Sequence, residues 1–179
     1  SGGASMNTLA RKLRFVGQVE RRAHAERLLD EPGDTAVIFR DVLRSVVMRC
    51  PDGCGETLVV NLDPRAGKAW RLRKNSRGIT LFPSVWREGG CGAHFIVWSD
   101  QILWCLGYED PENVEPAYDS SIERKLLAAL SEDVLQTAEV LGLAIDESGW
   151  DAARGARRLV ARGLAEEGAD GLVGQFRRR

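Results

Sequence analysis

The sequence predicts an α+β chain: a small antiparallel β-rich domain stabilised by zinc, preceded by a helix and followed by a winged-helix-like helical domain. Three observations predict it. All four cysteines lie between Cys50 and Cys105. The same stretch carries short runs rich in Val, Ile, Leu and aromatic residues, separated by turn residues. Beyond Ser120 the apolar spacing becomes helical. A chain of 179 residues has room for one ordinary domain or two small ones.

Taken in order, Ser1-Gly2-Gly3-Ala4-Ser5 reads as an expression scar, with Met6 as the native start, and is set aside. From about Thr8 to Leu29 the apolar residues Leu9, Leu13, Val16, Val19, Ala23 and Leu28 approximate one helical face, which Pro32-Gly33 ends. Strands are expected at Thr35–Phe39, Ser45–Met48, Thr57–Leu62, Ala69–Leu72 and Ile79–Phe82. His94–Trp98 and Ile102–Cys105 form a hairpin across Ser99-Asp100-Gln101. So many short, closely spaced strands suggest an antiparallel sheet or a small barrel. The polar, proline-punctuated segment around Asp110-Pro111 and Glu115-Pro116 marks a boundary. The expected domains are residues 6–110, a linker at 111–120, and 121–179. In the last, helices are expected at Ser121–Leu130, Glu132–Leu141 and Trp150–Ala165, and a glycine-rich hairpin at Gly168–Arg179.

With 44% hydrophobic and 28% charged residues the chain reads as soluble. A formal net charge of -1 excludes a whole-chain field that captures nucleic acid or an anionic membrane. No run approaches the roughly 18 apolar residues that span a bilayer. The first apolar stretch is broken by Arg11, Lys12 and Arg14, so no signal peptide is expected. The expected compartment is the cytoplasm, where cysteines bind metal more often than they form disulfides.

Cys50-Pro51-Asp52-Gly53-Cys54-Gly55 is a tight turn carrying two thiols, with glycines that permit positive φ. Cys91-Gly92 has the same character, and strand pairing in the hairpin brings Cys105 back towards Cys91. Four sulfurs from separate segments suit one tetrahedral structural zinc per chain, held by Cys50, Cys54, Cys91 and Cys105. Three other readings stay open on the residues alone: four buried cysteines acting as small apolar groups, a redox pair at Cys50 and Cys54, or a site of three cysteines with His94.

The chain has two histidines. His24 sits among Arg21, Arg22, Glu26 and Arg27 and reads as a solvated helix residue. His94 opens an apolar strand, ten residues after Ser84 in Leu81-Phe82-Pro83-Ser84-Val85-Trp86. A serine hydroxyl becomes a nucleophile when an imidazole lies in hydrogen-bond reach, and adjacent strands would allow that here. A turn serine and a ligand histidine are the plainer roles for the same two residues.

The string Cys50…Cys54-Gly55, Trp70, Pro83-Ser84-Val85, Cys91-Gly92-Ala93-His94-Phe95 and Trp104-Cys105 resembles a bacterial family encoded in bacterial ubiquitination-like (Bub) operons, beside ubiquitin-like proteins and E1- and E2-like enzymes. Its members are taken to be serine-protease-like deconjugases that play the part of deubiquitinases, in a setting of antiphage defence. The resemblance covers roughly Val37 to Cys105. It implies Ser84 as nucleophile, His94 as general base, the four cysteines as zinc ligands, and ubiquitin-like conjugates and the E1- and E2-like enzymes as partners. Two departures stand out. The family's Cys-Pro-Cys-Gly-Cys turn is here Cys50-Pro51-Asp52-Gly53-Cys54, and the residue before the histidine, often serine, is Ala93. Asp100 and Glu88 are candidates for an orienting acid by proximity only, a bare dyad being the other possibility. Gly89 and Gly90 are candidate oxyanion donors.

The C-terminal segment puts Arg154, Arg157, Arg158 and Arg162 on its third helix, the pattern of a DNA-reading winged helix. The charge of the segment opposes that: from Asp119 to Arg179 acidic residues slightly outnumber basic ones. A protein-docking surface is the expected role, ahead of DNA binding or a simple helical cap.

Overall fold

A computed structural model describes residues 9–179. Residues 1–8, which include the segment read as an expression scar and the first residues of the expected domain and helix, lie outside the described residues. The chain separates into two compact units, one ending at Pro116 and one spanning Ala117–Arg179.

The first unit holds two four-stranded sheets. One has the order β1-β2-β3-β4, from β1 (Arg14–Val19), β2 (Asp34–Arg40), β3 (Val42–Arg49) and β4 (Thr57–Asn61), with α1 (Arg22–Leu28) between β1 and β2. The other has the order β5-β6-β7-β8, from β5 (Arg71–Asn75), β6 (Gly78–Trp86), β7 (His94–Trp98) and β8 (Gln101–Trp104). Alternate residues of both sheets fill one core: Val46, Met48, Leu58 and Val60 from the first, Leu81, Val85, Phe95 and Ile102 from the second. Along one seam the sheets are stitched by a Lys12–Gln101 bridge and by Ile102 N–H donating to Arg11 O at 2.9 Å. Along the other, Trp70 N–H donates to Asn61 O at 2.8 Å, and past that point β4 and β6 carry no mutual ladder.

The mixed architecture, with antiparallel sheets and C-terminal helices, is as the sequence predicts, but individual elements differ. The expected helix from Thr8 to Leu29 is mostly strand: β1 pairs parallel with β2, and only Arg22–Leu28 is helical. Phe15, Val16 and Val19 favour a strand once a neighbour is present to pair with. The Arg14 guanidinium also grips Asp34 with two 2.7 Å bonds, fixing the start of that ladder. In addition β6 runs on through Pro83 and Ser84 to Trp86, where the sequence suggests an end at Phe82. The β7–β8 hairpin closes on Ser99 and Asp100, both at positive φ, as a two-residue turn matched to strand twist requires.

The second unit packs α2 (Ile122–Ala129), α3 (Ala138–Ile145) and α4 (Gly149–Ala161) with a small sheet of order β10-β11-β9, from β9 (Gln136–Thr137), β10 (Ala165–Glu167) and β11 (Gln175–Arg178). α3 starts six residues later than the spacing suggests. Ser131 Oγ takes the amides of Asp133 and Val134 into a local turn, and Thr137 Oγ1 caps the helix by accepting from Val140 N–H. Gly155 sets how closely α2 and α4 approach, since a Cβ there would lie 2.6 Å from Leu126 Cδ1.

Candidate active site and metal centre

Ser84 and His94 lie on the paired strands β6 and β7, and Ser84 Oγ is 3.0 Å from His94 Nε2. The register explains the approach. Trp86 is the direct partner of His94, and Ser84, two residues back, shares Trp86's face of the sheet. The ring of Trp86 stacks on the imidazole at 5.0 Å between centroids and 18° between planes. Both serine and histidine are half-buried. On the main-chain side, the Trp70 indole N–H donates to Ser84 O at 3.1 Å, pinning the strand that carries the hydroxyl. His24 is exposed on α1, as its charged neighbours suggest.

Neither candidate acid reaches the imidazole. Asp100 sits in the turn at the far end of β7, where its Oδ1 accepts from Ile79 N–H at 2.7 Å. Glu88, in the turn after β6, makes no hydrogen bond to His94 among the described residues. What is observed is a Ser84–His94 contact with the Trp86 ring stacked on the imidazole. Gly90 N–H is also committed elsewhere, to Arg87 O at 3.3 Å, which removes it as an oxyanion donor in this arrangement. Trp86 and Trp70 are contributors to which sequence reasoning gave no role, although Trp70 is among the residues that carry the resemblance. The signal for Trp86 was its i+2 spacing from Ser84 on a strand.

Close to the β6–β7 turn, side-chain ligand atoms of Cys50, Asp52, Cys54 and Cys91 all lie within 4.8 Å of one another. Cys50, Cys54 and Cys91 of the four expected ligands fall in this group together with Asp52, and Cys105 lies outside it. Its amide pairs with His94 O at 3.0 Å, in register at the end of the hairpin, and burial raises its thiol pKa. Asp52 takes the remaining place because its carboxylate turns back into its own loop. Oδ1 accepts from Cys54 N–H at 2.8 Å and from the Cys50 thiol at 2.9 Å.

The donor set fits a zinc-like divalent cation. Cys50 Sγ and Cys91 Sγ are 3.7 Å apart, and two thiolates on a tetrahedral zinc stand about 3.8 Å apart. The 2.9 Å from Cys50 Sγ to Asp52 Oδ1 is that of a thiol donating to a carboxylate. Burial pushes the Cys50 thiol pKa up. Burial also opposes charge on Asp52, but the bonds from Cys50 and Cys54 hold its carboxyl below the usual range.

Comparison with known proteins now bears on the site. Residues 21–105 match the model of the bacterial ubiquitination-like system serine protease family, BubE. No curated protein matches the chain. No solved structure matches it either. The matched segment contains Ser84, His94, Trp70, Trp86 and the Cys/Asp cluster.

The second unit offers no free basic stripe. Arg154 and Arg158 lie over the Tyr118 ring at 5.2 and 4.2 Å. Arg157 pairs with Glu167 at 3.2 Å and Arg162 with Glu123 at 3.1 Å. All four arginines singled out on this helix thus have partners within their own unit. No helix of the described chain is long and apolar enough to cross a membrane.

Proposed function

We propose that this chain is a serine peptidase that releases a bacterial ubiquitin-like protein from its conjugates or from a precursor tail. The observation that carries the reading is the 3.0 Å contact between Ser84 Oγ and His94 Nε2, inside the segment matched by the protease family. Ser84 Oγ attacks the carbonyl carbon at the ubiquitin-like C-terminus while His94 Nε2 takes its proton. The tetrahedral adduct collapses, the C–N bond breaks, and the imidazolium returns the proton to the leaving amine. Water, deprotonated by the same nitrogen, then splits the acyl ester and restores the serine. With no acid at hand, the Trp86 ring and the Cys105-to-His94 main-chain bond orient the imidazole.

Cys50, Cys54 and Cys91, with Asp52 in the fourth place, would hold a structural zinc that ties the β3–β4 turn to the β6–β7 turn. A site filled by four protein ligands leaves zinc no open position for water, so its part is to hold the fold. The chain operates as two domains, with the C-terminal unit a winged-helix-like docking module for protein. The test is a ubiquitin-like protein fused through its C-terminus to a reporter domain, together with a fluorophosphonate probe. Ser84→Ala and His94→Ala are each expected to abolish cleavage while melting temperature holds. The double variant should be hardly worse than either, because members of one catalytic unit are strongly non-additive. Full cleavage by Ser84→Ala protein would rule the mechanism out.

A further inference from the structure

The second seam between the two sheets is a slot with main-chain groups on both walls. On β4, Cys50 N–H donates to Glu56 O and Leu62 N–H to Arg44 O, so the even-numbered residues face β3. By antiparallel alternation Thr57 and Val59 turn their N–H and C=O groups away from β3, out of the edge of the sheet. On β6, His94 O accepts from Cys105 N–H, so the His94 main chain faces β8. Trp86, opposite His94, therefore turns its own N–H and C=O away from β7. β5 does not cover that side, because its pairing with β6 stops at Phe82. Between the two edges runs a groove of about 350 Å³, lined by Thr57, Val59, Trp70, Val85, Trp86 and Arg87. It abuts Trp70, whose indole holds the Ser84 carbonyl, and begins one residue after Ser84.

We infer that this groove takes the extended C-terminal tail of the ubiquitin-like substrate as an added strand between β4 and β6, delivering its terminal carbonyl to Ser84. The inference rests on the peptidase reading above. An exposed strand edge recognises main chain, through alternating donors and acceptors, more than it recognises side chains. The tail side of the scissile bond is continuous main chain. The leaving side of a lysine conjugate presents an aliphatic side chain, which has nothing to pair with these edges. Four residues of β4 at about 3.4 Å each span roughly 14 Å, room for a tail of about four extended residues. The indoles of Trp70 and Trp86 flank the slot, and they favour small side chains in the tail.

The test exploits the direction of the Val59 amide. Proline at an edge position whose N–H points outward removes a donor from the groove and leaves the β3–β4 ladder intact. For Val59→Pro in the full chain, KM for the ubiquitin-like reporter fusion is expected to rise about tenfold, the loss of a main-chain hydrogen bond, with kcat within about twofold. Val59→Thr, which keeps the amide, should retain the wild-type KM. Should the proline variant not fold, hydrogen exchange on Ser84→Ala protein decides. Saturating fusion protein is expected to slow exchange in peptides covering Thr57–Val59 and Trp86. An unchanged KM in a folded Val59→Pro chain, or unprotected edges in the complex, would overturn the inference. Failure of the peptidase reading itself looks different: Ser84 of the wild-type chain then takes no fluorophosphonate label.

Discussion

Trp86→Ala isolates what holds the base in place. The indole stacks on His94 at 5.0 Å with planes 18° apart, and a stacked aromatic pair contributes about 0.5–1.5 kcal/mol beyond area burial. If that energy orients the imidazole towards Ser84, its loss lowers the rate of serine attack by about 2- to 12-fold. The effect on folding is bounded separately. Trp86 is 57% exposed. Of the roughly 250 Å² of a tryptophan side chain, about 100 Å² is therefore shielded, an upper limit of roughly 2.5 kcal/mol. The assay is the second-order rate of fluorophosphonate labelling of Ser84, with kcat for a small aryl ester, neither of which needs a bound protein tail. Melting curves confirm the fold. Trp86→Phe, which keeps a ring face, should recover most of the lost rate. A folded Trp86→Ala protein that labels at the wild-type rate would show that the stack does not position His94.

Further outcomes are expected at the metal centre and for stability in acid. Cys91→Ser should lose bound zinc and Cys105→Ser should keep it. Asp52→Cys, which supplies a softer thiolate, should tighten zinc by about tenfold or more against a chelating dye; zinc lost from Cys105→Ser instead would return that residue to the ligand set. The Arg14 guanidinium, with the amides of Asp30 and Glu31, lowers the Asp34 pKa from 3.8 to about 2. The stability this supplies is complete above pH 4 and fades as pH falls through 2. It amounts to roughly 1–2 kcal/mol once water around the exposed Arg14 is allowed for, so Asp34→Asn should lower the melting temperature at pH 6 and flatten its dependence between pH 4 and 2.

What the sequence made legible follows from the range of the interactions involved. Strands β2, β3, β4, β7 and β8 were readable because alternation and turn residues are local signals. β1 was misread because Leu9, Leu13, Val16 and Val19 mimic a helical stripe, and their strand state depends on pairing with β2, twenty residues on. The Ser84–His94 contact was reachable only as a possibility, since it needs the register that places Trp86 opposite His94. The hairpin brings Cys105 level with His94, while the thiols that gather with Asp52 surround the Cys50–Cys54 turn, a grouping that spacing alone does not report.

The metal centre and the dyad belong to one mechanical unit. Cys91 sits in the turn that leaves β6 after Ser84 and enters β7 at His94, and that turn is poorly packed. Gly89, Gly90, Cys91 and Gly92 are all exposed; Arg87 N–H donates to Ala93 O at 2.8 Å, Gly90 and Gly92 N–H donate to Arg87 O, and Arg87 pairs with Glu56 at 2.8 Å. Such contacts are individually weak in water. Cys50, by contrast, is fully buried at the end of β3, within the core shared by both sheets. The 3.7 Å approach of Cys91 to Cys50 is thus where this loose turn meets the rigid part of the fold. A cation between those sulfurs would tie the end of β3 to the strand ends that carry Ser84 and His94. Placing the anchor beside the β6–β7 connection keeps Ser84 and His94 in register while leaving the edges of β4 and β6 free to receive a strand.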